Sequence, residues 1–398
     1  MIRCFSNPRF APFCMGIVFA CLSVTSALAQ FGSVGTPTPY EIHDGDRIAL
    51  VGGTFIEREQ QYGYFELALQ LSLPETNFSI RNLGWSGDTA TGIARARFGN
   101  QQEGWSHLTK SLDLVNPTVI FVCYGTNEAF EGEKGLEAFK ANYGKLLDEL
   151  EKRTKRIVMI LPLPMENLGE PLPNPEQYNQ NVELYSKAIS EIAYDRGHPF
   201  VNASKAVSGY KPQESGDPAF LTDNGLHLTG YGYWKLAPVM TSRIGLSPKR
   251  SLTTANPASE LEGGKAVAMP IPYPRSPLAD NQNTITYAIH FLNEGEHSLQ
   301  LDDQPKVTAT AKQWAEGVDV PAAPLTDRAE ELREAILRKN QLFFDRYRPQ
   351  NETYLYLFRK HEQGNNAVEI PQFDPLVEAQ DKKIFELKQP MNVKVQLD

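Results

Sequence analysis

From about residue 46 to residue 246, short apolar runs alternate with amphipathic stretches along the chain. Nearly continuous apolar runs are typical of strands buried on both faces of a parallel sheet, whereas apolar residues that recur every three or four positions predict helices. The apolar runs occupy residues 48–51, 78–81, 118–123, 157–161 and 199–201. The helical stretches occupy residues 57–73, 136–151, 176–194 and 231–243. This alternation predicts an α/β domain with a parallel sheet covered by helices on both faces.

The pattern changes after residue 246. Residues 247–280 are rich in Pro, Ser and Gly, which favours a linker or a loosely structured crossing. Residues 284–299 and 307–310 alternate in polarity and predict small antiparallel strands around a turn at residues 293–295. A second, smaller unit is therefore expected to follow the α/β domain.

Two further helices are predicted near the C-terminus, at residues 326–344 and 375–388, with a polar, aromatic loop between them. The pattern divides the chain into four regions. They are a targeting segment (residues 1–29), the α/β domain (30–246), a linker with a small β-rich segment (247–325), and a helical and polar C-terminal region (326–398). The last two regions are expected to form a small mixed appendage on the α/β domain.

The first 29 residues have the three parts of a signal peptide. Arg3 and Arg9 supply positive charge, residues 11–24 are apolar, and Ala29 ends an A-x-A cleavage site. The apolar run is too short to cross a bilayer as a helix, so no integral membrane span is expected. We therefore predict export to the periplasm or the cell exterior after cleavage near Ala29. Lipidation at Cys21 and retention as an uncleaved anchor are the alternatives.

Composition and charge narrow the possible functions. The 398-residue chain has a formal net charge of -9, which argues against nucleic acid and anionic membrane surfaces as partners. Once the targeting segment is removed, Cys123 is the remaining cysteine, so no intramolecular disulfide is expected. Cys123 lies in an apolar run, which predicts a buried, unreactive thiol. The histidines other than His227 have no ligand-like spacing, so no metal is expected.

Four turn-rich stretches follow predicted strands or precede a predicted helix. They are residues 52–54, 82–89, 125–128 and 223–229. In a parallel sheet, segments at the carboxyl ends of the strands converge on one site. Taken together and in this order, the stretches resemble the SGNH/GDSL hydrolase family over about residues 46–242. The resemblance implies a flavodoxin-like, three-layer α/β sandwich that hydrolyses esters without a cofactor.

The resemblance also implies roles for individual residues. Thr54 stands where the family has its nucleophilic serine, and Gly53 stands where it has aspartate. Gly87 and Asn127 match the family's oxyanion donors, and His227 matches its general base. The residues that bind the electrophile are therefore present, whereas the nucleophile is replaced by a threonine with an additional methyl group.

The acid that orients the family's histidine is changed as well. The family has aspartate three residues before the histidine, where this chain has Asn224, and Asp223 lies one position too early. A neutral amide can orient an imidazole ring, but it stabilises the charged ring less than a carboxylate does. The sequence leaves open whether Asp223 or Asn224 supports His227.

These residue types fit ester hydrolysis. An oxyanion needs preformed N–H donors, and a hydroxyl nucleophile needs a base within hydrogen-bond reach. The sequence thus predicts an exported ester hydrolase that deacylates a carbohydrate, with a small-molecule or oligosaccharide ester as substrate. The alternatives are attack by another nucleophile or an activated water, and a catalytically inactive carbohydrate-binding or scaffold protein. Phosphate or nucleotide binding is disfavoured because no phosphate-binding glycine motif follows the first strand.

Two geometric features separate the hydrolase from the binding protein. A Thr54 hydroxyl within hydrogen-bond reach of a His227 ring nitrogen favours the hydrolase. A Phe55 or Trp85 side chain that fills the space between them favours the binding protein. Nothing in the sequence indicates the oligomeric state.

Aromatic, amide and arginine residues are dense between residues 338 and 366. The stretch is similar to the tails of exported SGNH-like proteins of Planctomycetes-type bacteria. Such a mixture suits a sugar site, where rings stack and amides or guanidinium groups bind hydroxyls or anionic substituents. The alternative is an internal polar network that locks the appendage onto the α/β domain.

Overall fold

The computed structural model of the chain describes residues 39–398 except 209, 213–218, 256–260 and 262–263. The predicted signal peptide, residues 1–29, therefore lies outside the described residues. The strands of the α/β domain are β1 (Arg47–Gly52), β2 (Ser79–Gly84), β3 (Val119–Cys123), β4 (Ile157–Ile160) and β5 (Phe200–Val201). Its helices are α1 (Thr54–Tyr62), α2 (Tyr64–Ser72), α3 (Gln101–Val115), α4 (Leu136–Leu150), α5 (Glu176–Arg196) and α6 (Gly230–Ser242).

Strands β1 to β5 form one parallel sheet in the order β2-β1-β3-β4-β5. Leu50 of β1 lies between Asn82 of β2 and Phe121 of β3 in the register. From β1 the chain runs to β2 at one edge of the sheet, and from β2 it crosses back to β3 on the other side of β1. The connections therefore diverge between β1 and β3. This strand order is the flavodoxin-like one, in which ligands bind at that switch point. The predicted flavodoxin-like α/β fold is confirmed.

Burial on both faces of the sheet explains the continuous apolar runs. In β1, Ile48 and Leu50 pack into one core with residues of α1, α2 and α6. Ala49 and Val51 point the other way and pack with residues of α3, α4 and α5. All four are at most 1% exposed, so the strand shows no polar alternation. Helices on both faces complete the three layers.

Two helices differ from the prediction. The helical stretch at residues 57–73 is two helices, because Gly63 adopts a φ of 70° and ends α1. The carboxylate of Glu59 then accepts the N–H of Phe65 at 2.6 Å, at the start of α2. The apolar pattern does not predict α3, since Gln, Ser, Thr and Lys residues surround its few buried apolar positions, among them Leu108 and Leu112.

The C-terminal region adds two small sheets and further helices. Its strands are β6 (Ser251–Thr254), β7 (Lys265–Met269), β8 (Thr284–Ile289), β9 (Glu296–Leu301), β10 (Val307–Thr310), β11 (Val318–Pro321) and β12 (Met391–Leu397). Its helices are α7 (Ala311–Glu316), α8 (Ala323–Tyr347), α9 (Glu352–Leu355), α10 (Lys360–Gln363) and α11 (Phe373–Leu387). The small mixed appendage is confirmed. No helix within the described ranges has the length and apolar composition that crossing a membrane requires.

Two predictions for this region are wrong. The predicted linker at residues 247–280 contains β6 and β7. The turn at residues 293–295 does not close a hairpin, because β8 pairs with β6 and β11 whereas β9 pairs with β10 and β12. The last strand, β12, lies between β9 and β7. A strand whose partners lie far away in the chain has no turn beside it to reveal the pairing.

Helix α8 packs on the α/β domain through buried polar contacts. The Lys339 ammonium group donates to both carboxylate oxygens of Glu66 in α2 at 2.6 Å, and both side chains are almost fully buried. The Tyr347 hydroxyl donates to the carbonyl oxygen of Gly84 at 3.1 Å, at the end of β2. Breaking a buried ion pair typically costs about 3–5 kcal/mol. An internal polar network therefore accounts for part of the cluster predicted between residues 338 and 366.

Candidate active site

A cavity opens at the carboxyl ends of β1 and β3, at the switch point of the sheet. Thr54, Asn127 and His227 line this active-site cavity. Phe55 forms part of its wall, whereas Trp85 is buried outside it with the guanidinium group of Arg348 3.5 Å from the ring centre. Neither aromatic side chain fills the cavity, and three of the predicted site residues meet in it.

The close approach of β1 and β3 places Thr54. A Cβ atom at Gly52 would lie 2.4 Å from the carbonyl oxygen of Cys123, so only glycine fits at the end of β1. The chain then turns, and Thr54 is the first residue of α1. The Thr54 hydroxyl oxygen accepts the N–H of Gly87 at 3.1 Å. No hydrogen bond among the described residues joins Thr54 to His227, so the contact expected of a hydrolase is not formed in the free protein.

A buried ion pair ties the loop after β2 to the core. Gly87 in this loop has a φ of 74°, a conformation that favours glycine. The next residue, Asp88, accepts the Nε–H of Arg95 at 2.6 Å, and both side chains are fully buried. The Tyr124 hydroxyl donates to the same carboxylate oxygen at 3.0 Å. The ion pair and Tyr124 therefore hold the backbone of Gly87 in place.

Asn127 follows β3 and faces the same loop. Its side-chain amide donates one N–H to the carbonyl oxygen of Asp88 at 2.8 Å. Because the amide nitrogen carries two hydrogens, the second N–H is left for a ligand. The Glu128 carboxylate links the two loops by accepting the N–H of Gly125 at 3.0 Å and that of Ala90 at 2.9 Å. Asn127 thus presents a donor that is fixed relative to the loop after β2.

His227 lies on a small hairpin between β5 and α6. An antiparallel bridge joins Thr222 to Leu228 across this hairpin. Within it, the side-chain oxygen of Asn224 accepts the backbone N–H groups of Leu226 at 3.0 Å and of His227 at 2.9 Å. The Asn224 oxygen is therefore held by the hairpin backbone, and its NH2 group is left to face the imidazole ring.

The contact between Asn224 and His227 sets the tautomer of the ring. The Asn224 amide nitrogen lies 3.1 Å from Nδ1 of His227. An NH2 group is only a donor, so Nδ1 of the neutral ring accepts and the ring proton is on Nε2. A histidine that acts as a base through Nε2 needs the opposite tautomer. In the free protein His227 is thus a hydrogen-bond donor at Nε2.

Asp223 does not take the place of the family's aspartate. Its carboxylate lies 3.1 Å from a guanidinium nitrogen of Arg58 in α1. Within the part of the chain that the structure describes, no hydrogen bond joins this carboxylate to the ring of His227. Of the two residues that the sequence left open, Asn224 is the one that contacts the ring.

Several residues that hold the site together are missed by sequence reasoning. They are Arg58, Asp88, Arg95, Tyr124 and Glu128. Asp88 and Glu128 directly follow the predicted oxyanion donors, and a carboxylate in that position is a usable signal. Arg58, Arg95 and Tyr124 belong to no motif, and only the folded chain brings them to their partners.

The arrangement suits stabilisation of negative charge better than it suits proton transfer. The Asn127 amide and the start of α1 are donors fixed before any substrate arrives, as an oxyanion requires, and the Gly87 N–H joins them once it leaves the Thr54 oxygen. The Thr54 hydroxyl and the His227 ring share the cavity with them but are not joined to each other. Donors at the switch point of a flavodoxin-like sheet are placed where a bound ester carbonyl would need them.

Residues 50–235 match the GDSL-like lipase/acylhydrolase family. This match confirms the predicted resemblance of the α/β domain to the SGNH/GDSL hydrolases. No curated protein sequence matches the chain.

Solved structures are similar to the chain. A gut microbial diltiazem-metabolizing enzyme is similar with a TM-score of 0.62 at 15% identity, covering 91% of this chain and 99% of that chain. An acetylxylan esterase from Geobacillus stearothermophilus is similar with a TM-score of 0.41 at 17% identity, covering 52% of this chain and 98% of that chain. The similarity to the diltiazem-metabolizing enzyme extends well beyond the α/β domain. It therefore includes much of the C-terminal region of this chain.

Proposed function

We propose that the protein removes acyl groups from a carbohydrate by ester hydrolysis, with Thr54 as the nucleophile and His227 as the base. This proposal rests on one observation: Thr54, Asn127 and His227 line the same cavity of a domain that matches the GDSL-like family. A carbohydrate substrate is supported by the polar groove beside the cavity, which is lined by Gln60, Gln61 and Gln350.

The reaction begins with an ester carbonyl bound by the Asn127 amide and the Gly87 N–H. The Thr54 oxygen bonds to the carbonyl carbon, its proton passes to His227, and negative charge forms on the carbonyl oxygen. The Gly87 N–H, which the Thr54 oxygen accepts in the free protein, then turns to this oxyanion. The tetrahedral intermediate then collapses and the bond between its central carbon and the alcohol oxygen breaks. The leaving alcohol takes the proton from His227. Water then gives a proton to His227 as its oxygen bonds to the acyl carbon. The bond from this carbon to the Thr54 oxygen breaks, the acid leaves, and the Thr54 oxygen takes the proton back from His227.

Asn224 makes this reaction slow. The proton on Nε2 of His227 blocks transfer from Thr54 until the ring adopts the other tautomer. That tautomer requires Asn224 to turn its oxygen to the ring and give up two backbone hydrogen bonds. At about 0.5–1.5 kcal/mol for each net hydrogen bond, the rate falls about ten- to a hundredfold.

The test is turnover of a chromogenic acetate ester and of acetylated oligosaccharides by the full chain. Wild type is compared with Thr54→Ala, His227→Ala and the conservative Thr54→Ser. The proposal expects both alanine variants to lose activity together and Thr54→Ser to keep it. Activity that survives Thr54→Ala but falls with His227→Ala identifies another nucleophile or an activated water. A wild type as silent as the variants overturns the proposed hydrolysis.

The hydrogen bonds of His227 favour one alternative, a carbohydrate-binding protein without catalysis. In that protein the Nε2–H of His227 and the Asn127 amide would both donate to sugar hydroxyls. This alternative expects sugar binding that weakens in His227→Ala and Asn127→Ala. It also expects no turnover after Thr54→Ser and Asn224→Asp are combined, whereas the hydrolase expects that double variant to be active.

We also propose that the protein acts after export. The basis is the charge, apolar run and cleavage site of residues 1–29. Expression of the full chain in a bacterial host, followed by fractionation and N-terminal sequencing, tests this directly. A periplasmic product that begins at Gln30 supports export, a lipid-modified Cys21 supports the lipoprotein alternative, and a cytoplasmic product that still begins at Met1 contradicts both.

A further inference from the structure

A second groove adjoins the active-site cavity, and the two share Thr54, Arg58 and His227. One wall is formed by α1 and by Ser86 in the loop after β2. The opposite wall belongs to α8 and the chain just after it, through Leu337, Gln341, Phe344 and Gln350. Because this α8 groove meets the cavity at Thr54 and His227, an ester attacked by Thr54 would lie at the junction of the two.

We propose that the α8 groove binds neutral sugar rings of the substrate, so that the C-terminal region supplies the carbohydrate specificity. The inference rests on the proposed function for the direction of the substrate: the acyl group occupies the active-site cavity, and the sugar alcohol occupies the α8 groove. The groove is the larger of the two, with a volume of about 590 Å³ against about 60 Å³ for the active-site cavity. The larger part of an acylated sugar therefore belongs in the groove.

The inner wall of the active-site cavity suits a small acyl group. Gly53, Cys123 and Tyr124 form it at the strand ends, and Leu163 and Tyr233 add apolar surface. Burial raises the pKa of the Cys123 thiol to about 12, so this group stays neutral. These side chains offer contacts to a short alkyl chain, and the cavity is much smaller than the α8 groove. The polar rings of a sugar are better satisfied in the α8 groove.

Side-chain amides in the α8 groove are free for a ligand. Gln60, Gln61 and Gln350 line the groove, and their side-chain amides form no hydrogen bond with any residue that the structure describes. An amide has two N–H donors and an acceptor oxygen, which matches adjacent hydroxyls on a sugar ring. The partly buried ring of Phe344 adds a flat apolar surface for the face of such a ring. The groove thus offers the mixed polar and aromatic contacts of a sugar site.

The charged residues of the groove are already paired. The Glu57 carboxylate accepts a guanidinium N–H of Arg348 at 2.6 Å and the backbone N–H of Ser86 at 2.7 Å. Arg58 is paired with Asp223 at 3.1 Å. The described lining therefore leaves no arginine or lysine to bind a carboxylate or sulfate on the sugar. This pairing favours neutral sugars over uronic acids.

Calorimetric titration of the full chain tests the groove without requiring turnover. The probes are xylohexaose, mannohexaose and an oligogalacturonate of the same length. The variants are Gln61→Ala and Gln350→Ala, and the matched control is Gln180→Ala, an exposed amide on α5 that lines neither cavity. We expect at least one neutral hexasaccharide to bind, with a Kd about tenfold higher in each groove variant and unchanged in the control.

Three results would each overturn the proposed groove. They are equal Kd values in wild type and both groove variants, no binding of either neutral hexasaccharide, and tighter binding of the oligogalacturonate. Hydrolysis of a chromogenic acetate ester, which needs only the active-site cavity, reports on the proposed function separately. A wild type that binds sugar through Gln61 and Gln350 but cleaves no ester supports the groove and refutes hydrolysis. A wild type that cleaves the ester but does not bind sugar through these residues supports hydrolysis and refutes the groove.

Discussion

The two sides of the active-site cavity are built differently. In the proposed reaction, the oxyanion side consists of Gly87, Asp88 and Asn127, and the base side consists of Asp223, Asn224 and His227. On the oxyanion side, the Asp88–Arg95 ion pair is fully buried and fixes the loop that carries Gly87. On the base side, Asp223 and Asn224 are exposed at the tip of a hairpin. One side is part of the core, and the other rests on the surface.

This difference explains where the chain departs from the family pattern. A substitution on an exposed hairpin typically changes stability by less than about 0.5 kcal/mol, whereas leaving a buried charge unpaired costs about 3–5 kcal/mol. Asparagine at position 224 therefore costs the fold little, although it reverses the tautomer of His227. The oxyanion side cannot be altered in this way without destabilising the core. Selection for a stable fold is enough to preserve the oxyanion side, whereas only selection for function can preserve the base side.

The base side is also anchored by contacts other than those of Asn224. The buried Glu166 carboxylate accepts the N–H groups of Leu221 at 3.0 Å and Thr222 at 2.8 Å, where the hairpin begins. Beyond them Asp223 pairs with Arg58 through its side chain, and its backbone N–H donates to the carbonyl oxygen of His227 at 3.0 Å. The hairpin therefore stays in position when the residue that orients the imidazole ring is exchanged.

The largest effect is expected from Asn224→Asp. One carboxylate oxygen would keep the bonds to the hairpin backbone, and the other would face Nδ1 of His227 as an acceptor, which places the ring proton on Nδ1 and frees Nε2 as a base. Because the reverse change in another triad enzyme lowers kcat about 10⁴-fold, we expect kcat on a chromogenic acetate ester to rise by about 10²–10⁴. Thr54→Ala in the same background is the control and should abolish the gain. An unchanged kcat would mean that His227 is not the base.

On the oxyanion side, Arg95→Met should be the most damaging change to stability. It leaves the Asp88 carboxylate buried without its cation, which should lower the free energy of unfolding by about 3–5 kcal/mol in urea titrations. The double variant Arg95→Met with Asp88→Asn removes both charges and should recover part of the loss. A loss below about 1 kcal/mol for Arg95→Met alone would show that this side is not held by the ion pair.

The sheet and the place of the cavity can be predicted from the sequence. Strands buried on both faces leave continuous apolar runs, so β1 to β5 fall within a few residues of their predicted positions. Turn residues after β1 and β3 place Thr54 and Asn127 at one edge of the sheet. Both predictions rest on local patterns that a parallel sheet converts directly into spatial proximity.

The remaining features depend on contacts that no local pattern encodes. Arg95 reaches Asp88 because the chain bends through a short 3₁₀ turn at Ile93–Ala96. Strand β12 pairs with β9, with Val395 opposite Leu301. The orientation of the Asn224 amide depends on two backbone N–H groups of the hairpin. Residue types alone fix neither the distance nor the rotation that these contacts require.

The pH dependence of stability sharpens the comparison through Glu128, which links the two loops of the oxyanion side. Burial raises the pKa of its carboxyl group in the folded protein. A raised folded pKa means that the folded state holds the proton more tightly, so this contribution to stability is full below the unfolded pKa and is lost as pH rises through the folded pKa. We expect the unfolding free energy of wild type, relative to Glu128→Gln, to fall as pH rises from about 4.3, the ordinary pKa of a glutamate, through the raised pKa of the folded protein. The exposed Glu133→Gln serves as control for the loss of one carboxylate, and a flat difference for Glu128→Gln would contradict the raised pKa.

The smallest effect is expected from Asp223→Asn on the base side. The Arg58–Asp223 pair is partly exposed, with 24% and 49% of the two side chains accessible, so its loss should lower the free energy of unfolding by no more than about 1 kcal/mol. Because the Asp223 carboxylate does not contact the ring of His227, kcat on the chromogenic ester should stay within about twofold of wild type. The same change combined with Asn224→Asp should keep the gain of the single variant. A tenfold loss from Asp223→Asn would instead mean that Asp223 reaches His227 in the reacting complex, and the exposed hairpin would then rearrange around substrate while the buried oxyanion side stays fixed.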